Sequence, residues 1–504
     1  MKPIKTLIFI FSIMLLLGMG WYFFPAEGIK IGSFTLRFPS YAESQQEDKT
    51  VVDVDEVLHK VNESFEMTCS ATMYDSLGFF RDYLKSNPNR IYLPDDDYTY
   101  FDKLFALFEQ AQKTGRTCRI MHYGDSQIEM DRISSVLRQN LQELFGGAGP
   151  NMIPAVQPVS TISVSQHASN LTRYAVYGDN SNHRAQHNRY GVMAQFSQVL
   201  GGGSITFTQT NHSRAFENAK RISKVSVLLG RNSQGFTASL HCDTLNLEPK
   251  VLNANDSVSL ITWILPHEVR RGTINFKGNA EIYAVLLDDT PGITVDNVAL
   301  RGCAGTIFTR INKDVMRQSF KLLNTRLIIL QFGGNRMPCI SSPKGIASYI
   351  PELERQIDYF KEVAPQATLL FIGPADMGRS YNGKMGTWHW LPELNDSLRA
   401  MAMRNRIAYW DMFHVMGGEG SMAQWVKHKP ALAGPDYIHF TFIGAQAIGD
   451  DLAKSFTTYY DFYKLRQRVP SKEVIDFVNR DAKEDRQYAP YWMRMPNYQP
   501  YKNN

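Results

Sequence analysis

The chain has 504 residues, 43% hydrophobic and 20% charged, which is ordinary globular composition with ample length for a large core. Its formal net charge is only +5 and its basic residues are scattered rather than clustered, so nucleic-acid binding has no compositional support. The five cysteines, Cys69, Cys118, Cys242, Cys303 and Cys339, are odd in number and widely spaced, with no CxxC or Cys/His cluster; they read as buried or incidental thiols, and neither a metal nor a cofactor is expected.

At the N-terminus Lys2 and Lys5 precede an apolar run over 6–24 that ends near Trp21 and Tyr22. About 20 apolar residues cross a bilayer as a helix, and amphipathic rings favour its interface. Segment 1–24 therefore reads as a membrane anchor, with a cleaved signal peptide as the alternative. Either places the rest of the chain outside the cytoplasm, on the periplasmic side. Residues 25–91 read as a juxtamembrane region: IKIGSFTLRF as a short strand pair, a polar linker, then helices over 54–65 and 74–84.

From residue 92 an α/β pattern begins. A helix over 100–112 places Phe101, Leu104, Phe105 and Phe108 on one face. A short strand over 118–123 runs straight into Gly124-Asp125-Ser126-Gln127, and a helix over 133–145 follows, ended by Gly146 and Gly147. Residues 150–289 differ in texture. Short alternating runs such as SITFTQT, SKVSVLLG and AEIYAVLL are separated by turn residues, as in a β-sandwich inserted after the first strand–helix unit. Over 290–468 strands and helices alternate again, with strands at 293–302, 327–332, 368–372 and 407–411 and helices at 348–363, 392–405 and 442–456. Segments 92–149 and 290–468 thus form one domain around a parallel sheet covered on both faces. Its site belongs beyond the carboxyl ends of the strands, where GDSQ, LRG, GGN and GPAD fall. The tail 469–504, rich in Tyr, Pro and charge, is expected to be extended.

A serine on a sharp strand-to-helix turn is exposed and sits near free backbone N–H groups that favour developing negative charge. Ser126 occupies such a turn. A hydroxyl nucleophile needs a base. His439, in Gly434-Pro435-Asp436-Tyr437-Ile438-His439, precedes the last helix, and the three-residue offset lets Asp436 reach its Nδ1–H and leave Nε2 free to take the serine proton. The backbone N–H of Ser126, Gly302 in Leu300-Arg301-Gly302 and the side chain of Asn335 in Gly333-Gly334-Asn335 are candidate oxyanion donors, with Gly305 in reserve for Gly302. Glu129 reads as a solvated first-turn carboxylate, with orientation of the serine loop as the alternative. Trp388 and Trp390, in a Gly-rich loop, read either as a substrate-binding platform for a sugar face or as packing of the loop against its own domain.

Strand-end GDS, strand-end RG, strand-end GGN and a pre-helical DxxH occur in this order, and together they resemble the SGNH (GDSL-like) hydrolase superfamily, whose four blocks contribute Ser, Gly, Asn and His. The resemblance implies a flavodoxin-like three-layer α/β/α domain, nucleophile Ser126, oxyanion donors Gly302 and Asn335, base His439 and orienting Asp436. Two departures stand out. GDSQ replaces the commoner GDSL, which is expected to remove only a hydrophobic contact. GGNR replaces GxND, which changes the support of Asn335. The longer segments HYGDSQIEMDRISSVLRQNLQELFGG and PDYIHFTFIGAQAIGDDL are similar to cell-envelope members that include peptidoglycan O-acetylesterases, some with a carbohydrate-binding-like β-sandwich between the serine and glycine blocks. By analogy the implied function is hydrolysis of O-acetyl esters on envelope glycan. An O-acetyltransferase using the same triad, served by a membrane partner that delivers acetyl groups, and a non-catalytic glycan-binding protein are the alternatives.

Overall fold

The computed structural model describes residues 73–480 apart from 180, 181, 243 and 244, together with a few helical residues between 9 and 22 and two short strands, Ile29–Ile31 and Phe34–Leu36. Six strands form the main sheet: β1 (Ile91–Tyr92), β2 (Cys118–Gly124), β3 (Ile293–Ala299), β4 (Thr325–Gln331), β5 (Thr368–Ile372) and β6 (Ala408–Trp410), in the order β3-β2-β4-β5-β6-β1. All neighbours are parallel except β1, which closes one edge antiparallel to β6. Without that edge strand the order is 2-1-3-4-5, the flavodoxin-like arrangement.

Successive side chains of a strand point to opposite faces, so a strand buried on both needs unbroken apolar runs. Ile120, Ile329, Leu370 and Trp410 face one core with the helices Asp102–Ala111, Ser134–Phe145 and Phe442–Arg468. Their chain neighbours Met121, Ile328, Phe371 and Tyr409 face a second core with Lys313–Leu322, Pro343–Val363 and Leu391–Arg404. The result is three layers.

Between β2 and β3 the chain builds an eight-stranded antiparallel network, dominated by the long strands Val164–Ala175, Gln195–Gln209, Lys224–Cys242 and Arg271–Asp288. Register shifts between Gly278 and Ala284 bulge the central pair, which bends it. One part of the network encloses its own core around Phe207, Phe236, Trp263 and Ile274. The other part contributes Tyr177, Leu228, Tyr283 and Leu286 to the second core of the main sheet. Arg119 of β2 rivets the two: it pairs with Asp288, the last residue of the long strand, at 2.8 Å and with Asp296 of β3 at 2.7 Å, all three side chains buried.

Several expectations need correction. The tail is not extended throughout, because Ser471–Asn479 is a helix that buries Val474, Phe477 and Val478. The helix expected over 442–456 runs to Arg468, since Tyr459, Phe462, Tyr463 and Leu465 keep facing the core. The helix expected from 348 starts at Pro343, where the missing N–H of proline costs nothing. Among the described residues no helix is long and apolar enough to cross a membrane, so the N-terminal anchor finds no support there. Most of 1–24, and the helix expected over 54–65, lie outside the described residues.

Candidate active site

β2 ends at Gly124, and the next residues turn at once into a short 3₁₀ helix, Ser126–Asp131. Asp125 caps it, accepting a hydrogen bond from the Gln127 N–H at 2.9 Å. The turn cannot continue as a regular helix, because Met130 and Asp131 both hold positive φ, at 62° and 65°. Asp131 is fixed there by a buried pair with Arg138 and a hydrogen bond from Ser163. The serine is thereby held at the end of the sheet rather than inside a helix.

Asp436 and His439 lie on the turn before the helix Phe442–Arg468. The carboxylate accepts hydrogen bonds from the backbone N–H groups of Ile438 and His439, at 3.0 and 3.1 Å, and meets His439 Nδ1 at 2.7 Å. Burial pushes the Asp436 carboxyl upward, but the hydrogen bonds from the His439 ring and the two N–H groups outweigh it and hold its pKa below the usual value. With a proton on Nδ1 facing Asp436, Nε2 is left as an acceptor, and Ser126 Oγ lies 2.7 Å from it. Serine, imidazole and carboxylate stand in one line across 313 residues of sequence.

The serine and histidine turns are stitched together by side chains that sequence reading undervalued. Gln127 Nε2 donates to the Ile438 carbonyl at 2.5 Å and its Oε1 accepts from the Phe440 N–H at 3.4 Å. Arg132 donates to the carbonyls of Ser126 and Phe440, both at 2.8 Å. The glutamine of GDSQ thus adds polar ties instead of only removing an apolar contact. Gly378 is close beneath the histidine turn: its N–H donates to the Tyr437 carbonyl at 2.8 Å, and a Cβ there would stand 2.6 Å from that of Tyr437.

Asn335 opens the turn after β4. Its Nδ2 donates to Asp125 Oδ2 at 2.9 Å, which leaves the second N–H of the amide available. The support expected from an aspartate after the asparagine comes instead from the aspartate before the serine. Burial raises the Asp125 carboxyl to about 6, against the pull of the hydrogen bonds from Gln127 and Asn335. Arg336, standing in place of the family's aspartate, lies over the Tyr349 ring at 5.4 Å.

Gly302 follows β3 with φ +73°, and among the described residues its N–H meets no acceptor. Gly305 offers no second donor, since its N–H is directed at Cys303 Sγ, 3.3 Å away. Glu129 is not a solvated carboxylate. It is buried and forms a two-pronged pair with Arg301, both contacts 2.6 Å, which ties the serine turn to the glycine turn. Trp388 and Trp390 are half-buried against the second core, and Trp388 donates to the Gly378 carbonyl at 3.2 Å. Neither lines the pocket that holds Ser126.

That pocket is small, about 150 Å³, and is walled by Phe332, Pro338, Pro374, Ala375, Met377 and Ile438, with Asn335, Ser126 and His439 at its polar end. A larger cavity of about 630 Å³ adjoins Arg301 and Gly302 on the other side and is completed by the antiparallel network.

No protein-family profile and no curated protein matches the chain. Among solved structures, one of a peptidoglycan O-acetylesterase superposes with a TM-score of 0.58 at 20% identity, covering 73% of this chain and 97% of that one. The two share their fold, a three-layer domain built on a mostly parallel sheet. A family two carbohydrate esterase from Cellvibrio japonicus is also similar, at a TM-score of 0.24 and 12% identity, over 63% of this chain and 100% of that one. In this fold the turns after β2, β3 and β4 carry Ser126, Gly302 and Asn335 at the carboxyl end of the sheet, and the turn before Phe442–Arg468 brings His439 to Ser126.

Proposed function

We propose that this protein is a serine esterase that removes O-acetyl groups from a cell-envelope glycan, with peptidoglycan as the leading substrate, and that it works outside the cytoplasm. The observation that carries this reading is the continuous relay from Ser126 Oγ through the His439 ring to Asp436, with both contacts at 2.7 Å. The size of the pocket beside the serine supports a short acyl group. About 150 Å³ bounded by proline, methionine and phenylalanine suits an acetyl methyl and leaves no room for a long chain. The substrate class is suggested by the fold match to a peptidoglycan O-acetylesterase.

In this mechanism Ser126 Oγ attacks the acetyl carbonyl as His439 Nε2 takes its proton. The carbonyl oxygen becomes an oxyanion facing the N–H groups of Ser126 and Gly302 and the free N–H of Asn335. Asp436 holds the ring and balances the imidazolium charge. The tetrahedral adduct collapses as His439 returns the proton to the departing sugar oxygen, leaving acetyl-Ser126. Water, deprotonated by the same imidazole, then attacks the acyl-serine, and acetate leaves with Ser126 restored.

The test is acetate release from O-acetylated peptidoglycan by the chain and by Ser126→Ala. Loss of the nucleophile is expected to lower the rate by about 10⁴-fold or more. Turnover at the unmutated rate would overturn the assignment.

A further inference from the structure

We infer that the cavity between the main sheet and the antiparallel network holds the glycan chain while its ester lies at Ser126, so that the inserted strands form half of the substrate site and are not a separate tether. This deepens the esterase reading and rests on it.

Space is the first argument. The pocket at Ser126 is about 150 Å³, whereas the cavity walled by Arg301 and Gly302, about 630 Å³, falls within the range of sites for ligands of several rings. Position is the second. Ala299 at the end of β3 pairs with Gly124 at the end of β2, and the Leu300 N–H donates to the Gly124 carbonyl at 2.8 Å. Arg301 and Gly302, which wall the cavity, therefore follow directly from the strand beside the one that carries Ser126. A leaving group departing past Gly302 enters this space.

The lining itself names the ligand class. Its charges cancel: Arg173 and Arg301 face Glu129 and Asp179, which disfavours an anionic polymer and suits a neutral one. The groups contributed by the antiparallel network suit hydroxyls and amides. Arg173 spreads its fork to Asn182 Oδ1 at 2.5 Å, to the Tyr177 hydroxyl at 3.0 Å and to Gln195, so a planar polar array stands beside an aromatic ring. The geometry points to a neutral, amide-bearing oligosaccharide of two to three units.

The experiment separates binding from turnover. The full chain carrying Ser126→Ala is titrated calorimetrically with chitotriose. A complex is expected, weakened about tenfold or more when Val159→Trp fills the cavity or Arg173→Gln removes the fork. Thermal melting checks that each variant folds, and Val159, half-buried at the rim, serves if the Arg173 variant does not. Unchanged affinity in a folded Val159→Trp, or no binding of chitotriose to the Ser126→Ala chain, overturns the proposal. Failure of the esterase reading shows itself elsewhere, as equal acetate release with and without Ser126.

Discussion

His439 lies on a turn of its own, and its distance from Ser126 is set by side chains of the serine turn. Gln127 reaches both the carbonyl of Ile438 and the N–H of Phe440, on either side of the imidazole. Gln127→Leu, which restores the commoner family residue, removes both ties at about 1 kcal/mol or less each. We expect kcat to fall about tenfold while KM for a small acetyl ester stays within about twofold, a split readable in steady-state kinetics. Asp125→Asn acts on the other partner. An amide whose oxygen keeps the Gln127 N–H turns its NH2 toward Asn335 in place of an acceptor, so the proposed oxyanion donor loses its anchor and kcat should drop about 100-fold, again with little change in KM. Ser126, His439 and Asp436 were legible from sequence because a strand, a tight turn and a helix are local signals, and so is a three-residue Asp–His offset. Gln127 and Glu129 were not, because what gives them meaning is remote: the Gln127 acceptor is 311 residues away and the Glu129 partner 172. Trp388 and Trp390 pack against the second core, one of the two readings their loop allowed, because residue type alone does not tell an indole packed on its own domain from one turned toward a ligand.

Among the elements, the long helix Phe442–Arg468 packs along the first core and carries a carboxylate it does not neutralise. Asp451 is buried, its Oδ2 has no hydrogen-bond partner among the described residues, and Lys454 stands 3.7 Å from Oδ1. Burial pushes its pKa up to about 7, and the Lys454 charge offsets only part of that. A carboxyl whose folded pKa exceeds its unfolded one binds more protons when folded, so it lowers stability as pH rises from about 4 to about 7 and adds no further change above that. Asp451→Asn, neutral at every pH, should therefore melt higher than the unmutated chain at pH 8, by several degrees, and lose most of that advantage at pH 5. Thermal scans at the two pH values check it. The five parallel strands were readable to within a few residues because buried parallel strands are unbroken apolar runs, whereas the edge strand Ile91–Tyr92 is too short to leave a pattern. The ends of the helices were not, since Tyr459, Phe462 and Tyr463 continue a face that sequence periodicity had already closed.

At the scale of the molecule, the inserted strands share a core with the domain that contains them. Tyr283, Leu228 and Leu286 pack with Met121 and Val298 of the main sheet, and Arg119 is clamped between Asp288 and Asp296. Arg119→Met would leave two buried carboxylates without their cation, at a cost of about 3–5 kcal/mol, measurable as a lower denaturation midpoint in urea. Excising 150–289 is expected to yield insoluble protein, because it strips one wall from the second core and removes Asp288. Sequence texture set the strand-rich stretch apart, but not that its side chains share a core with the main sheet, because an alternating run gives no sign of which partner its apolar side meets.

The order of the sheet also has a consequence during synthesis. β2, the strand that delivers Ser126, is central, yet both its neighbours, β3 and β4, are encoded after the entire antiparallel network. On the ribosome it emerges with two bare edges, and it must stay unpaired until well over a hundred further residues have been made and folded. Such long-range closure is slow, so a chain of this design should depend on holdase chaperones while nascent, and should refold from denaturant in low yield at high concentration even though the finished molecule is well packed.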